Sequence, residues 1–210
     1  MNELTALVGI VASITIGAIS PGPSFIMVAR TAIGSSRGEG LAAAVGMGLA
    51  GTILSIAALA GLNSLLLAMP SLYLVLKVVG GLYLVYIGVR IWAGAKAPFA
   101  MAAPAQLSHS TLRRSLLLGF TTNVSNPKAS IIYASVFAAF LPPAPSLAFN
   151  VAVVVLVTAV EIGWYTIVAV TLSAERPRSA YLRYKATVDR VAGGVMMALG
   201  LKLISAAQKN

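Results

Sequence analysis

The sequence predicts an all-α integral membrane protein with six transmembrane helices, arranged as two inverted three-helix repeats in which helices one and four are broken. Three observations support this fold class. Hydrophobic residues make up 59% of the 210-residue chain and charged residues only 10%, with a mean hydropathy of +0.91. The apolar residues form runs of about twenty or more, which is long enough to cross a bilayer. Two proline motifs, at 20–23 and 126–128, interrupt such runs half a chain apart.

The apolar runs divide into six spans at polar, glycine-rich or proline-rich segments. Their predicted bounds are Leu4–Ala29, Leu41–Met69, Leu72–Trp92, Leu116–Leu141, Leu147–Leu172 and Val191–Ala207, the last being the shortest. We expect residues 1–210 to form a single transmembrane transporter domain. The first repeat would cover about 1–93, an inner flexible linker about 94–115, and the second repeat about 116–210.

Basic residues are concentrated in alternate connections between these spans. The first, third and fifth connections hold eleven of the fifteen Lys and Arg residues, and the second and fourth hold none. Because cytoplasmic loops carry an excess of Lys and Arg, this predicts a multi-pass protein of the cell inner (plasma) membrane with both termini outside. The net charge of +10 does not indicate a nucleic-acid partner, since the chain has no basic helix face with an aromatic platform.

The two proline motifs are the strongest indication of a site. Pro21 and Pro127 lie 106 positions apart, and a proline inside a membrane helix removes a backbone hydrogen bond. The opened backbone must be covered by protein or line a cavity, so paired breaks in corresponding halves indicate a binding site. Ser20 and Asn126 are good N-cap residues, and we expect half-helices to begin at Pro21 and Pro127, with Gly22 easing the bend. Their positive ends would face an anionic group; packing kinks without ligand contact are the alternative.

Lys128 lies well inside the fourth span, where a charged side chain is costly and needs a partner or water. Two roles fit: it grips a substrate carboxylate, or it binds carbonyls freed by a break. The alternative is an interfacial lysine whose long stem reaches the inner surface. Asn123 and Asn126, three residues apart, can supply neutral hydrogen bonds from one helix face.

Glu161 is the single carboxylate within the predicted spans, near the middle of the fifth. An acid inside the membrane is a candidate functional residue. It could bind a substrate ammonium or carry a coupling proton; a structural ion pair with Lys128 is the alternative. Trp164 and Tyr165 follow at i+3 and i+4, on nearly the same helix face.

The Ser-Pro-Gly-Pro motif of the first span and the Asn-x-x-Asn-Pro-Lys motif midway along the chain resemble the lysine exporter (LysE/RhtB) family of amino-acid exporters. An acid followed by Trp-Tyr in the fifth span is also similar to this family. The resemblance covers the whole chain and implies efflux of amino acids or close derivatives across the bacterial inner membrane, driven by the proton or membrane potential. It implies these substrate-binding or coupling positions: Pro21, Gly22, Pro23, Asn123, Asn126, Pro127, Lys128, Glu161, Trp164 and Tyr165.

The predicted function is therefore secondary active export and not enzymatic catalysis, with a small amino-acid substrate, the lipid bilayer as surroundings, and no cofactor or metal. Homo-oligomer formation stays open. The alternative is export of another small solute or a metal ion on the same fold, although one His and no Cys are a poor donor set for metals. A thiol redox carrier would need cysteines, an ATP-driven pump would need a phosphate-binding loop, and an assembly factor would not need a buried acid and base.

Overall fold

The computed structural model describes residues 2–20, 22–68, 70–96, 111–142 and 144–207. Within these ranges the chain forms eight α-helices and no β-strand. The helices are α1 (Glu3–Ile19), α2 (Pro23–Gly34), α3 (Arg37–Ala68), α4 (Pro70–Gly94), α5 (Leu112–Val124), α6 (Pro127–Phe140), α7 (Leu147–Leu172) and α8 (Glu175–Ala207). The all-helical class predicted from the sequence is confirmed for this part of the chain, and α7 has the bounds predicted for the fifth span.

The first predicted span is broken into α1 and α2, which meet at an angle of 56°. Ser20 ends α1, since its N–H donates to the Ile16 carbonyl at 3.2 Å, and Gly22 in an extended conformation precedes α2. The new helix begins at Pro23, two residues later than expected, and Ser20 does not cap it. The residue before a proline favours extended backbone, so Pro23 sets the start of α2. Pro21 lies outside the described residues.

The fourth predicted span is broken into α5 and α6, as the Asn-Pro-Lys motif predicts. Asn126 is the N-cap of α6, and its Oδ1 accepts a hydrogen bond from the Lys128 backbone N–H at 3.0 Å. Pro127 occupies the first helical position, where its missing N–H leaves no partner unsatisfied.

The sixth predicted span is longer than expected. Residues 173–190 were predicted as an inner connection, but α8 begins at Glu175 and continues without interruption to Ala207. Pro177 falls in the first turn of α8, where proline is tolerated, and no glycine follows until Gly193. The charged segment before the sixth span is therefore part of a 33-residue helix.

Two described helical segments are long and apolar enough to cross a membrane, Arg37–Leu62 and Leu147–Leu172. The bent α1–α2 pair is a third candidate span if it is taken as one. Val78–Gly94 and Pro127–Phe140 are shorter apolar helical segments. By length and composition the described residues thus provide two or three candidate spans, and the six-span layout stays a prediction.

Glycines allow the long helices to pack closely. Between α4 and α8, a Cβ on Gly88 would lie 2.6 Å from the Gly193 carbonyl oxygen, and one on Gly200 would lie 2.5 Å from that of Gly81. Gly46 of α3 likewise lies against the α5 backbone. Within a membrane no hydrophobic effect drives helices together, and small residues let their backbones approach closely.

Two apolar clusters lie on either side of the helix breaks. One joins α1, α6 and the first half of α7, with Ile10, Phe137 and Val153 fully buried. The other joins α2, the first half of α3 and the second half of α7 through Phe25 and Met47, among others. Several polar side chains next to the two breaks are buried as well, so protein surrounds them.

Candidate functional site

The site forms where the two broken spans meet. Ser24, in the first turn of α2, donates its hydroxyl to Asn123 Oδ1 at 3.0 Å, and it accepts a hydrogen bond from Asn126 Nδ2 at 2.9 Å. All three side chains are buried. A serine beside one break is thus bonded to two asparagines flanking the other, although they are about a hundred positions apart in the sequence.

Glu161 of α7 is 4% exposed and joins this network. The Tyr133 hydroxyl donates to Glu161 Oε1 at 3.0 Å, and Asn123 Nδ2 donates to Oε2 at 3.0 Å. Asn123 Nδ2 also donates to the Met47 carbonyl at 3.1 Å. The buried carboxylate is therefore held by neutral donors, which leave lone pairs on both oxygens free to accept further bonds.

Gly51 of α3 makes room for this carboxylate. A Cβ at that position would lie 2.8 Å from the Tyr133 hydroxyl oxygen and 3.1 Å from Glu161 Cγ. The absence of a side chain therefore allows α6 and α7 to bring their polar groups together beside α3.

Lys128 binds the end of the first helix and not the buried acid. Its Nζ donates to the Ser20 carbonyl at 2.9 Å and to the Gly17 carbonyl at 3.4 Å. The last carbonyls of a helix have no internal partner and carry partial negative charge, so a cation is well placed there. Of the roles considered from the sequence, binding the freed carbonyls is the one observed, and among the described residues Lys128 forms no ion pair with Glu161.

A cavity of about 30 Å³ lies among these groups. Its walls include Gly17, Ser20, Gly22, Asn126, Lys128, Glu161 and Tyr165. This volume holds about one water molecule and is far below that of an amino acid. Polar groups from several helices therefore converge on one small space.

Most of the sequence-predicted positions come together here. Six of them line the cavity: Gly22, Asn123, Asn126, Lys128, Glu161 and Tyr165. Pro23 and Pro127 are exposed and begin α2 and α6. Trp164 does not line the cavity and packs against the cluster formed by α2, α3 and α7. Its neighbour Tyr165 carries the aromatic contribution to the site and lies beside Ser24.

Three residues with evident roles were not singled out from the sequence. Ser24 directly follows the first proline motif, and Tyr133 lies five residues after Lys128 on the same half-helix, so distance from the breaks could have identified both. Asp189 of α8 could not be found in this way, because the segment was expected to be a loop. It is 4% exposed, and its Oδ2 is paired with Lys185 Nζ at 2.7 Å.

The described residues contain no group of three or more His, Cys, Asp or Glu that could hold a metal ion. Hydrogen bonding and charge are the chemistry that the described site offers. It has an acid, a base, amide and hydroxyl groups, and the end of one helix next to the start of another.

The chain is similar to known proteins over most of its length. The chain is 34% identical over 187 residues to the threonine efflux protein of Salmonella typhi, covering 89% of this chain and 91% of the relative. It is 33% identical to the threonine efflux protein of Escherichia coli over the same coverage, and 34% identical to a leucine efflux protein of Enterobacter over 58% of this chain and 56% of the relative. No solved structure matches. The family model for the LysE type translocator matches residues 15–207, and the chain therefore belongs to the LysE type translocator family.

Proposed function

We propose that this protein exports amino acids or close amino-acid derivatives across the bacterial inner membrane as a secondary active transporter. The observation that carries the proposal is the buried cluster of Ser24, Asn123, Lys128 and Glu161 at two opposed helix breaks. Burying an acid and a base in an apolar bundle is costly. Ionisable residues inside a membrane protein are therefore candidates for a functional role. The threonine and leucine efflux relatives support an amino acid as the substrate class.

The proposed architecture has six spans in two inverted repeats, with α1–α2 matching α5–α6, α3 matching α7, and α4 matching α8. Contacts between matching helices support it. Thr52 of α3 and Thr158 of α7 lie 106 positions apart, and their hydroxyl oxygens are 2.7 Å apart. Gly88 and Gly193, 105 positions apart, lie at the crossing of α4 and α8. Matching residues meet where a pseudo-twofold axis passes, as expected for inverted repeats.

The proposed orientation has both termini outside and the basic connections inside. A contact at one end of the bundle supports it. Glu3, at the start of α1, accepts hydrogen bonds from the Ser146 N–H at 2.7 Å and the Ser146 hydroxyl at 2.9 Å. The N-terminus and the uncharged fourth connection are therefore on the same side, in agreement with the distribution of Lys and Arg.

In the proposed mechanism the substrate carboxylate is held by Lys128 and by the positive N-terminal end of α6. The carboxylate replaces the Ser20 and Gly17 carbonyls as the partner of Lys128 Nζ. Exchanging a neutral carbonyl for a carboxylate gives a stronger, charge-assisted hydrogen bond. Because the same exchange releases the end of α1, substrate binding is coupled to movement of the first broken span.

The substrate ammonium is bound by Glu161 in this mechanism. The lone pairs that Tyr133 and Asn123 leave free on the carboxylate accept it. Coupling to the proton motive force is assigned to the same residue. The Glu161 carboxyl group is ionised while substrate is bound and protonated when substrate is absent, so it carries one proton in each transport cycle. Tyr165 and Ser24 also line the cavity.

The test is efflux from proteoliposomes loaded with a mixture of amino acids, followed by mass spectrometry under an imposed pH gradient. We expect wild type to release a subset of amino acids, and Lys128→Ala and Glu161→Ala to lose most of that release. Matched controls are Lys96→Ala and Glu39→Ala, which remove the same kinds of charge away from the site. Variants of Lys128 and Glu161 that behave like the controls would contradict the site assignment. Release of another solute or a metal ion without amino acids would favour the alternative substrate class.

A further inference from the structure

Asp189 is a second buried acid that the proposed mechanism does not use. One carboxylate oxygen, Oδ2, is paired with Lys185, whose Nζ also donates to the Ala95 carbonyl at 3.4 Å. The other oxygen, Oδ1, is buried and has no hydrogen-bond partner among the described residues. Leaving a buried polar atom without a hydrogen-bond partner is costly, and more so for a charged group. A substrate group that donates to Oδ1 would remove this cost.

Asp189 lies on the face of α8 that packs into the bundle. Tyr181, Lys185 and Asp189 follow one another at intervals of four and share a helix face. That face continues into Ala192 and Met196, which are buried in the bundle. The segment 181–189 is therefore a continuation of the packed face of α8, although its composition is that of a loop.

The same face packs behind one wall of the cavity, although none of its described residues lines the cavity itself. The Tyr181 ring stacks on Phe25, with centroids 5.2 Å apart and planes at 27°, and Phe25 is a wall of the cavity. The Asp189 carboxylate interacts electrostatically with both the Tyr181 phenol and the Lys128 ammonium. Burial and the nearby carboxylate raise the pKa of Tyr181, which keeps the phenol neutral. Asp189 and Lys128 thus carry opposite charges and are bound to different partners.

We propose that Asp189 is a second amine-binding residue, which receives the ammonium of the zwitterionic substrate on the α8 side of the cavity while Lys128 holds its carboxylate. This inference rests on the proposed export function. An α-amino acid carries its ammonium and carboxylate two bonds apart, so it can lie between a carboxylate and a lysine that are not paired with each other. The substrate ammonium supplies the donor that Oδ1 lacks. Binding at Asp189 precedes transfer of the amine to Glu161, and Tyr181 must leave Phe25 for the cavity to open on this side.

The experiment compares two ligands that differ in the ammonium alone. In proteoliposomes, transport of labelled threonine is measured together with its inhibition by 3-hydroxybutyrate, which lacks the amine. For Asp189→Asn we expect the KM for threonine to rise about tenfold, the loss of one charge-assisted hydrogen bond, with the inhibition constant of 3-hydroxybutyrate unchanged. The control is Glu39→Gln, in which neither value changes. A merely structural role for Asp189 would weaken both ligands together, and this result would overturn the proposal.

A second variant tests the opposite direction. Lys185→Gln removes the cation that neutralises Asp189, so the KM for threonine falls by about threefold or more. An unchanged or higher KM in this variant contradicts an amine-binding role, and this measurement stands even where Asp189→Asn does not accumulate in the membrane. A wild type that transports no amino acid overturns the export function itself. If wild type transports amino acids and Asp189→Asn distinguishes threonine from 3-hydroxybutyrate as wild type does, only the role of Asp189 is overturned.

Discussion

Gly51 provides a test of the site that leaves all of its polar groups in place. In Gly51→Ala the new methyl group would lie 2.8 Å from the Tyr133 hydroxyl oxygen and 3.1 Å from Glu161 Cγ, both closer than an ordinary contact. Either α6 or α7 must move, and the 3.0 Å hydrogen bond between Tyr133 and Glu161 is the first to lengthen. A hydrogen bond to a charged group contributes about 1.5–3 kcal/mol, so its loss corresponds to roughly a 10- to 100-fold fall in transport.

Gly61→Ala is the matched control, because it makes the same change in the same helix where nothing lies within 4 Å. Transport is measured as initial amino-acid efflux from proteoliposomes containing equal amounts of each protein. A further variant, Gly51→Ala combined with Tyr133→Phe, removes the hydroxyl that the methyl group meets. The cost of Gly51→Ala should then be smaller in the Tyr133→Phe background than in wild type, as contacting residues are not additive. Equal transport by Gly51→Ala and Gly61→Ala would refute the reasoning.

Three further predictions follow from particular contacts. Asn126→Ala removes the cap of α6 and the donor to Ser24, and we expect a loss of about 1–2 kcal/mol in thermal or denaturant stability. Asn126→Asp keeps the cap acceptor and should lose less stability. Equal losses in the two variants would count against the capping role. Lys128→Met leaves the α1 carbonyls without a cation and should abolish efflux, while Lys128→Arg should retain part of it, as measured in loaded proteoliposomes. Gly88→Ala should weaken the packing of α4 on α8 by roughly 1–3 kcal/mol through overpacking. Gly94→Ala should not, because nothing lies within 4 Å of the added methyl group. Comparable thermal stability of the two variants would contradict close packing at Gly88.

The helix breaks were predictable because their causes are local. Asn126 and Pro127 form a cap and a first helical position within two residues, and the structure has both in those roles. The start of α2 was less predictable because the first motif contains two prolines, and either could begin a helix. Gly22 and Pro23 take the roles expected of Ser20 and Pro21.

The partners within the site were less predictable. The sequence allowed several partners for Lys128, including Glu161. Its contacts with the Gly17 and Ser20 carbonyls depend on how α1 and α6 approach each other. Asp189 was missed for a related reason. The density of charge before the sixth span indicates a loop, and only the tertiary structure shows that Asp189 is buried there.

By itself the sequence determined that this chain is helical and apolar, that two of its spans are interrupted at proline motifs, and that an acid and a base lie within apolar segments. These properties depend on composition and on hydrogen bonding within a few residues. The tertiary structure alone decided which groups meet: Ser24 with the two asparagines, Glu161 with Tyr133, and Lys128 with the end of α1. Such pairings join segments far apart in the chain, and they depend on helix crossings set by glycine contacts and side-chain packing that no local pattern encodes.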